Sequence, residues 1–198
     1  MILEKKHREM IAAVDAKYRA AAGEGKTINP KKLHGALTAE LVREALTEYF
    51  IQHSLPFKVS KQNVYIIGLA TEFDILIVKI EAEPYLSVLY NPEDVVAIIE
   101  VEMTGLIATG ILTVADRVYD LYPHIAFGYL TMREKSPTNS VSAFGLPTVD
   151  HWRITQEILG QMRQRNAQFA IVYHNAGKDD VCDDSEWETF IRHLCNIN

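Results

Sequence analysis

Residues 72–102 of the chain read EFDILIVKIEAEPYLSVLYNPEDVVAIIEVE. The apolar runs at residues 75–78 and 95–99 consist mostly of β-branched side chains, and turn formers around Pro84 and Pro92 separate them. Runs of this length and composition, bounded by turn residues, predict two buried strands of one sheet.

Acidic residues stand where these two strands end. Asp74 directly precedes the first run, and Glu100 and Glu102 follow the second. Side chains alternate along a strand, so Glu100 and Glu102 project from the same face. Because an ionised carboxylate is costly to bury without a partner, three acids gathered at a sheet end favour a bound hard cation such as Mg²⁺.

The rest of the chain alternates between helical and strand patterns. Helical spacing predicts a helix at Leu3–Ala22 and a second helix that starts with Thr38 as its N-cap. Further elements are predicted as a strand at 57–67, a helix at 106–122, a strand at 124–132, a loop at 133–147, a helix at 152–163, a strand at 168–174 and a helix at 186–195. This order predicts an α/β fold with a central mixed sheet flanked by helices.

Charge divides the chain unevenly. The 198 residues carry a net charge of −6, and residues 1–34 hold eight basic and four acidic side chains, which leaves −10 for the rest. We therefore expect a basic helical arm at residues 1–35 and one principal domain at residues 36–198. The acidic balance argues against nonspecific wrapping of nucleic acid, which depends on neutralising phosphates, whereas a basic arm suits local phosphate contacts.

Composition also predicts where the protein works. The apolar runs are far shorter than the roughly 20 residues that a membrane helix needs, and the first residues lack the apolar core of a secretory signal. Two cysteines, Cys182 and Cys195, have no zinc-binding spacing. We expect a cytoplasmic protein with reduced thiols and no membrane partner.

The segment from Glu72 to Glu102 resembles the core of the PD-(D/E)XK nucleases, which have an acid at the start of one strand and (D/E)-x-K on the next. The resemblance implies a restriction-endonuclease-like core, hydrolysis of DNA phosphodiester bonds with Mg²⁺ or Mn²⁺, a role in restriction or phage defence, and a possible homodimer. It assigns Asp74, Glu100 and Glu102 to catalysis and metal binding. The family's first core helix often adds a metal-binding glutamate, for which Glu44 is the best match, with Glu40 and Glu48 as alternatives one turn away.

One position departs from this family pattern. Glu102 stands where most members have lysine, although some type II restriction enzymes have glutamate there and are active. A glutamate can accept a proton from the attacking water or bind a second cation, but it supplies no positive charge. The alternatives are an inactive relative that binds nucleic acid or a protein, and an interaction module without a metal-binding site.

Overall fold

The computed structural model describes residues 3–22, 30–105, 109–134, 164, 166–173 and 184–197. The helices are α1 (Leu3–Ala22), α2 (Lys31–Gln52), α3 (Thr109–Leu121) and α4 (Asp184–Leu194). The strands are β1 (Phe57–Val59), β2 (Val64–Ile66), β3 (Glu72–Phe73), β4 (Ile75–Lys79), β5 (Leu89–Tyr90), β6 (Val95–Gly105), β7 (Ala126–Glu134) and β8 (Ala167–Tyr173).

Five strands form a mixed sheet in the order β1-β4-β6-β7-β8. The pairs β1/β4 and β4/β6 are antiparallel, whereas β6/β7 and β7/β8 are parallel. A second sheet has the order β3-β2-β5. The predicted central mixed sheet flanked by helices is therefore confirmed.

The main sheet is covered on both faces. One face packs against α1, α2 and α4, and this core includes Ala97, Ile99 and Val101 from β6. The other face packs against α3 and the second sheet, and its core includes Ile98 from β6. Burial on both faces explains why residues 95–99 are apolar without alternation.

Two predicted strands are each divided between the two sheets. The pattern at 57–67 predicted one strand, but the chain leaves β1 at Ser60 and enters β2 only at Val64, with Asn63 at a φ of 58°. Asn tolerates this left-handed conformation better than most residues, so it permits a tight turn. The second prediction, 72–80, divides at Asp74 between β3 and β4.

The prediction that α2 starts at Thr38 was wrong, because the helix begins at Lys31. Thr38 lies inside it, fully buried, and its hydroxyl donates to the carbonyl of His34 at 2.7 Å. A threonine bonded in this way satisfies its own hydroxyl within a helix and need not cap one. The predicted domain boundary after residue 35 thus falls inside α2.

The N-terminal helix was predicted correctly, and it contacts the rest of the chain. Leu3 is fully buried in the main core, and His7 lies within 3.1 Å of the Thr38 hydroxyl. Lys6 pairs with Glu48 on α2 at 3.5 Å. Helix α1 is therefore packed against the domain.

The remaining predictions divide into described and undescribed parts. The helix at 106–122, the strands at 124–132 and 168–174 and the C-terminal helix are confirmed with small shifts in their ends. The predicted loop beyond residue 134 and the helix at 152–163 lie outside the described residues. No helix among the residues described is long and apolar enough to cross a membrane.

Glycine substitutions test the packing of α4 on the sheet. A Cβ added at Gly128 in β7 would lie 2.6 Å from Phe190 and 2.8 Å from Leu194, whereas one added at Gly35 in α2 would meet no atom within 4 Å. We expect Gly128→Ala to lower the free energy of unfolding by about 1–3 kcal/mol through overpacking. Gly35→Ala should raise it by about 1 kcal/mol, because alanine favours a helix over glycine. Urea denaturation of both variants measures these changes, and equal effects of the same sign would contradict this packing.

Candidate metal centre

Strand register brings Asp74 and Glu100 together. In the antiparallel pair β4/β6, Ile75 lies opposite Ile99 and Leu76 opposite Ile98. One further step along this register places Asp74 opposite Glu100. The backbone N–H of Val101 donates to Oδ2 of Asp74 at 2.8 Å, which fixes the Asp74 side chain against β6.

The carboxyl groups of Asp74 and Glu100 form a hydrogen bond. Burial, followed by the charge of Asp74 and this bond, raises the pKa of Glu100 from 4.5 to about 8. Burial also raises the pKa of Asp74, although the Val101 N–H and the bond to Glu100 act in the opposite direction. Glu100 is therefore the proton donor of the pair at neutral pH, and Asp74 accepts.

Glu102 lies two residues farther along β6 and is exposed. Alternation places it on the same face as Glu100. Its carboxyl is partly surrounded by protein, and this desolvation raises its pKa, with the charge of Asp74 as the second cause. The structure thus brings all three predicted strand acids into one electrostatically coupled group.

Two further residues belong to this group that the sequence reasoning did not assign. Glu72 in β3 contributes negative charge that raises the pKa of both Asp74 and Glu100, and it accepts a hydrogen bond from Tyr65 at 2.6 Å. Tyr129 in β7 lies opposite Glu100. Burial, then the charges of Glu102 and Glu100, raises the pKa of Tyr129, so its hydroxyl stays protonated.

A sequence signal exists for only one of these two residues. Glu72 precedes Asp74 by two residues, the same spacing that links Glu100 to Glu102, so the alternation rule would have found it. Tyr129 lies beside Glu100 because β6 pairs with β7. Local sequence patterns do not predict which strands pair.

The structure does not bring Glu44 to the strand acids. Glu44 is exposed on α2, and α2 packs on the other face of the main sheet. Of the two alternatives, Glu48 pairs with Lys6 at 3.5 Å. Glu40 accepts hydrogen bonds from Arg43 and Gln62, which lower its pKa although burial raises it.

Of the two cysteines that the sequence analysis considered, Cys195 is buried, and this burial raises its thiol pKa to about 12. Cys182 lies outside the described residues.

The chemistry of the donor set fits a hard divalent cation. Carboxylate oxygens are the ligands that Mg²⁺ prefers. A carboxyl group with a raised pKa has too little positive charge nearby to stabilise its ionised form, and a bound cation would supply that charge. Within the described part of the chain, no three acid, histidine or cysteine side chains already stand in metal-binding geometry. Asp74 and Glu100 are instead joined through a proton, which a cation would replace.

The fold is similar to that of NucC. A structure of NucC from P. aeruginosa ATCC27853 in its cAAA-bound form has a TM-score of 0.53 and 13% identity, and the match covers 98% of this chain and 88% of that one. For NucC from E. coli MS115-1, also cAAA-bound, the values are 0.50 and 10%, with 95% and 88% covered. At this identity the likeness shows the fold alone, which is a NucC-like fold. No family model and no curated protein matches the sequence.

The raised pKa of Glu100 predicts a pH dependence of stability without metal. Between pH 4.5 and about 8 the folded protein binds a proton that the unfolded chain releases. Stability should therefore fall as pH rises through this window, by up to about 1.4 kcal/mol per pH unit. Glu100→Gln removes the titrating group, so its melting temperature in EDTA should fall less between pH 5 and 8.

The exposed Glu81→Gln variant is the matched control and should melt like the parent at every pH. If Glu100→Gln and Glu81→Gln follow the same pH profile, Glu100 does not hold a proton in the folded protein.

Proposed function

We propose that the protein is a metal-dependent endonuclease that hydrolyses DNA phosphodiester bonds with Mg²⁺ or Mn²⁺. The observation that carries this proposal is the coupled group of Asp74, Glu100 and Glu102 at the end of two core strands. The NucC-like fold supports it.

Asp74 and Glu100 are the proposed metal ligands. The Val101 N–H donates to one oxygen of Asp74, and the other carboxylate oxygen is the proposed ligand of the cation. Glu100 would have to give up its shared proton to hold a cation, because metal ligation requires the ionised form. A bound Mg²⁺ supplies polarisation of the phosphoryl oxygen and a more acidic water.

Glu102 is the proposed group that activates the attacking water, or else a further metal ligand. It is the most exposed of the three acids on the strands, so a water molecule and a phosphate can reach it. The pKa of Glu102 is raised toward neutral pH, and a general base works best when its pKa lies near the operating pH. Glu102 stands in the usual lysine position and adds no positive charge, so more charge stabilisation falls to the metal.

Tyr129 has a proposed positioning role. Its protonated hydroxyl can act as a hydrogen-bond donor beside Glu100 and Glu102, which as carboxylates only accept. Such a donor restricts carboxylate orientation, and precise ligand orientation is what near-octahedral Mg²⁺ demands.

The biological setting belongs to the same proposal. Restriction or phage defence fits a DNA endonuclease of this fold, and a homodimer would place two centres for the two strands of a duplex. The protein would act in the cytoplasm.

Charge-removing substitutions test the assigned roles. Glu102→Gln keeps the side-chain shape but removes the proton acceptor, so cleavage of plasmid DNA with Mg²⁺ should fall by roughly 100-fold or more. DNA binding should stay equal or tighten, because one carboxylate no longer repels phosphate. Asp74→Asn should abolish cleavage by weakening metal binding. Gel assays of cleavage and fluorescence anisotropy of binding measure the two effects separately.

The control is Glu81→Gln, which removes an equal charge from an exposed position outside the group and should cut at the parental rate. Parental cleavage by Glu102→Gln alongside an inactive Asp74→Asn would assign Glu102 no chemical role. If the parent cuts neither DNA nor RNA with Mg²⁺ or Mn²⁺, the inactive relative that binds nucleic acid or protein is the correct assignment.

A further inference from the structure

A cavity lies between helices α2 and α4, which cover the face of the main sheet opposite the strand acids. Its volume is about 210 Å³. Polar and aromatic side chains from the end of α2 and the start of α4 line it, namely Glu48, Tyr49, Gln52, His53, Trp187 and Glu188. This volume is smaller than the roughly 300–1,000 Å³ of typical small-molecule sites, so the cavity has room for about one side chain.

Two carboxylates line the cavity, one from each helix. Glu188 is exposed and, among the residues that the structure describes, has no ion pair or hydrogen bond. The side chain of Glu48 is 57% exposed, and its Oε1 accepts a hydrogen bond from Lys6 at 3.5 Å. An exposed pair of this kind is weak, so a second cation can compete with Lys6 for Glu48. The wall therefore favours a positively charged ligand.

Two largely buried side chains add polar groups to the same wall. Tyr49 and Trp187 are 9% and 6% exposed. Within the described part of the chain, neither the Tyr49 hydroxyl nor the Trp187 indole N–H has a hydrogen-bond partner. Neither atom is fully enclosed by protein, so a molecule in the cavity can reach both. Because an indole N–H can only donate, the group that pairs with Trp187 must be an acceptor.

The ring of Tyr49 is held in place by its neighbours. His53 lies against it with 4.3 Å between ring centroids, and the edge of Phe50 contacts it at 6.3 Å. A positioned side chain loses less conformational entropy on binding a ligand than a mobile one. An aromatic ring also attracts a cation that lies within about 6 Å of its centroid.

We infer that this cavity binds a basic side chain, arginine or lysine, of a segment of another protein. The cation of that side chain pairs with Glu188 and Glu48, and a backbone carbonyl of the segment accepts the N–H of Trp187. A basic residue within a peptide has both features, whereas a simple amine lacks the acceptor. The site is independent of the proposed nuclease function, because it uses none of the strand acids.

NMR titration of the full chain with the peptide acetyl-Gly-Arg-Gly-amide tests the inference. The indole N–H resonance of Trp187 reports binding at the cavity, and a Trp152→Phe variant assigns it because the chain has two tryptophans. We expect this resonance to shift saturably, with a dissociation constant on the order of 1 millimolar. The same peptide with neutral citrulline in place of arginine, and agmatine, which has the guanidinium without the carbonyl, should each bind about threefold more weakly or worse.

Two variants should change the affinity for the arginine peptide in opposite directions. Glu188→Gln removes a carboxylate and should weaken binding by about threefold or more, whereas Lys6→Gln removes the competing ammonium and should tighten it by a similar factor. The control Glu81→Gln removes one charge from an exposed position outside the cavity and should bind like the parent. All three substitutions replace exposed side chains, and thermal melts verify folding.

Opposite changes in Glu188→Gln and Lys6→Gln, with the Glu81→Gln control unchanged, support the site. A Trp187 resonance that does not move with the arginine peptide up to about 10 millimolar overturns the inference. Equal affinity of the parent and both cavity variants also overturns it. Agmatine that binds as tightly as the peptide overturns the assignment to a protein segment.

Discussion

Asp74 and Glu100 are two carboxyl groups that cannot both be ionised without cost, and the proposed site depends on this constraint. They lie opposite each other on antiparallel strands, and burial with mutual repulsion raises the pKa of Glu100 to about 8. A shared proton relieves the repulsion in the absence of metal. A cation that binds to this pair would displace the proton, so its affinity would depend on pH.

The fold imposes this pair through the order of its strands. Strand β6 lies between antiparallel β4 and parallel β7, and this position gives Glu100 one acidic and one aromatic neighbour, Asp74 and Tyr129. The hydroxyl of Ser60 accepts a hydrogen bond from the N–H of Leu76 at 2.8 Å, and this bond stabilises the start of β4. The helices α1, α2 and α4 cover the other face, which leaves the acids on the side of α3 and the second sheet.

Local patterns predicted those features that depend on neighbours along the chain. The helical spacing of Leu3–Ala22 and the apolar run of β6 were sufficient for their elements, and alternation put Glu100 and Glu102 on one face. The register that joins Asp74 to Glu100 is a long-range property, so the sequence led us to expect the acids on neighbouring strands but could not predict how these strands pair. Glu44 came only from the family resemblance, and α2 carries it away from the strand acids.

Two further differences between the predictions and the structure also have local physical causes. Thr38 satisfies its hydroxyl inside α2, so a good N-cap residue did not mark a helix start. The chain passes from one sheet to the other at Asn63 and at Asp74. β-Propensity predicts strands, but it does not indicate which sheet a strand joins. Tyr129 became recognisable only once β7 was paired with β6.

Proton release on metal binding tests the central claim most directly. Calorimetric titration of Mg²⁺ or Mn²⁺ at pH 7, repeated in buffers of different ionisation enthalpy, gives the number of protons released per metal. Because Glu100 holds a proton with a pKa of about 8, we expect about one proton per metal for the parent and close to none for Glu100→Gln. Metal binding without proton release, or no metal binding at all, would contradict the assignment of Asp74 and Glu100 as the metal centre.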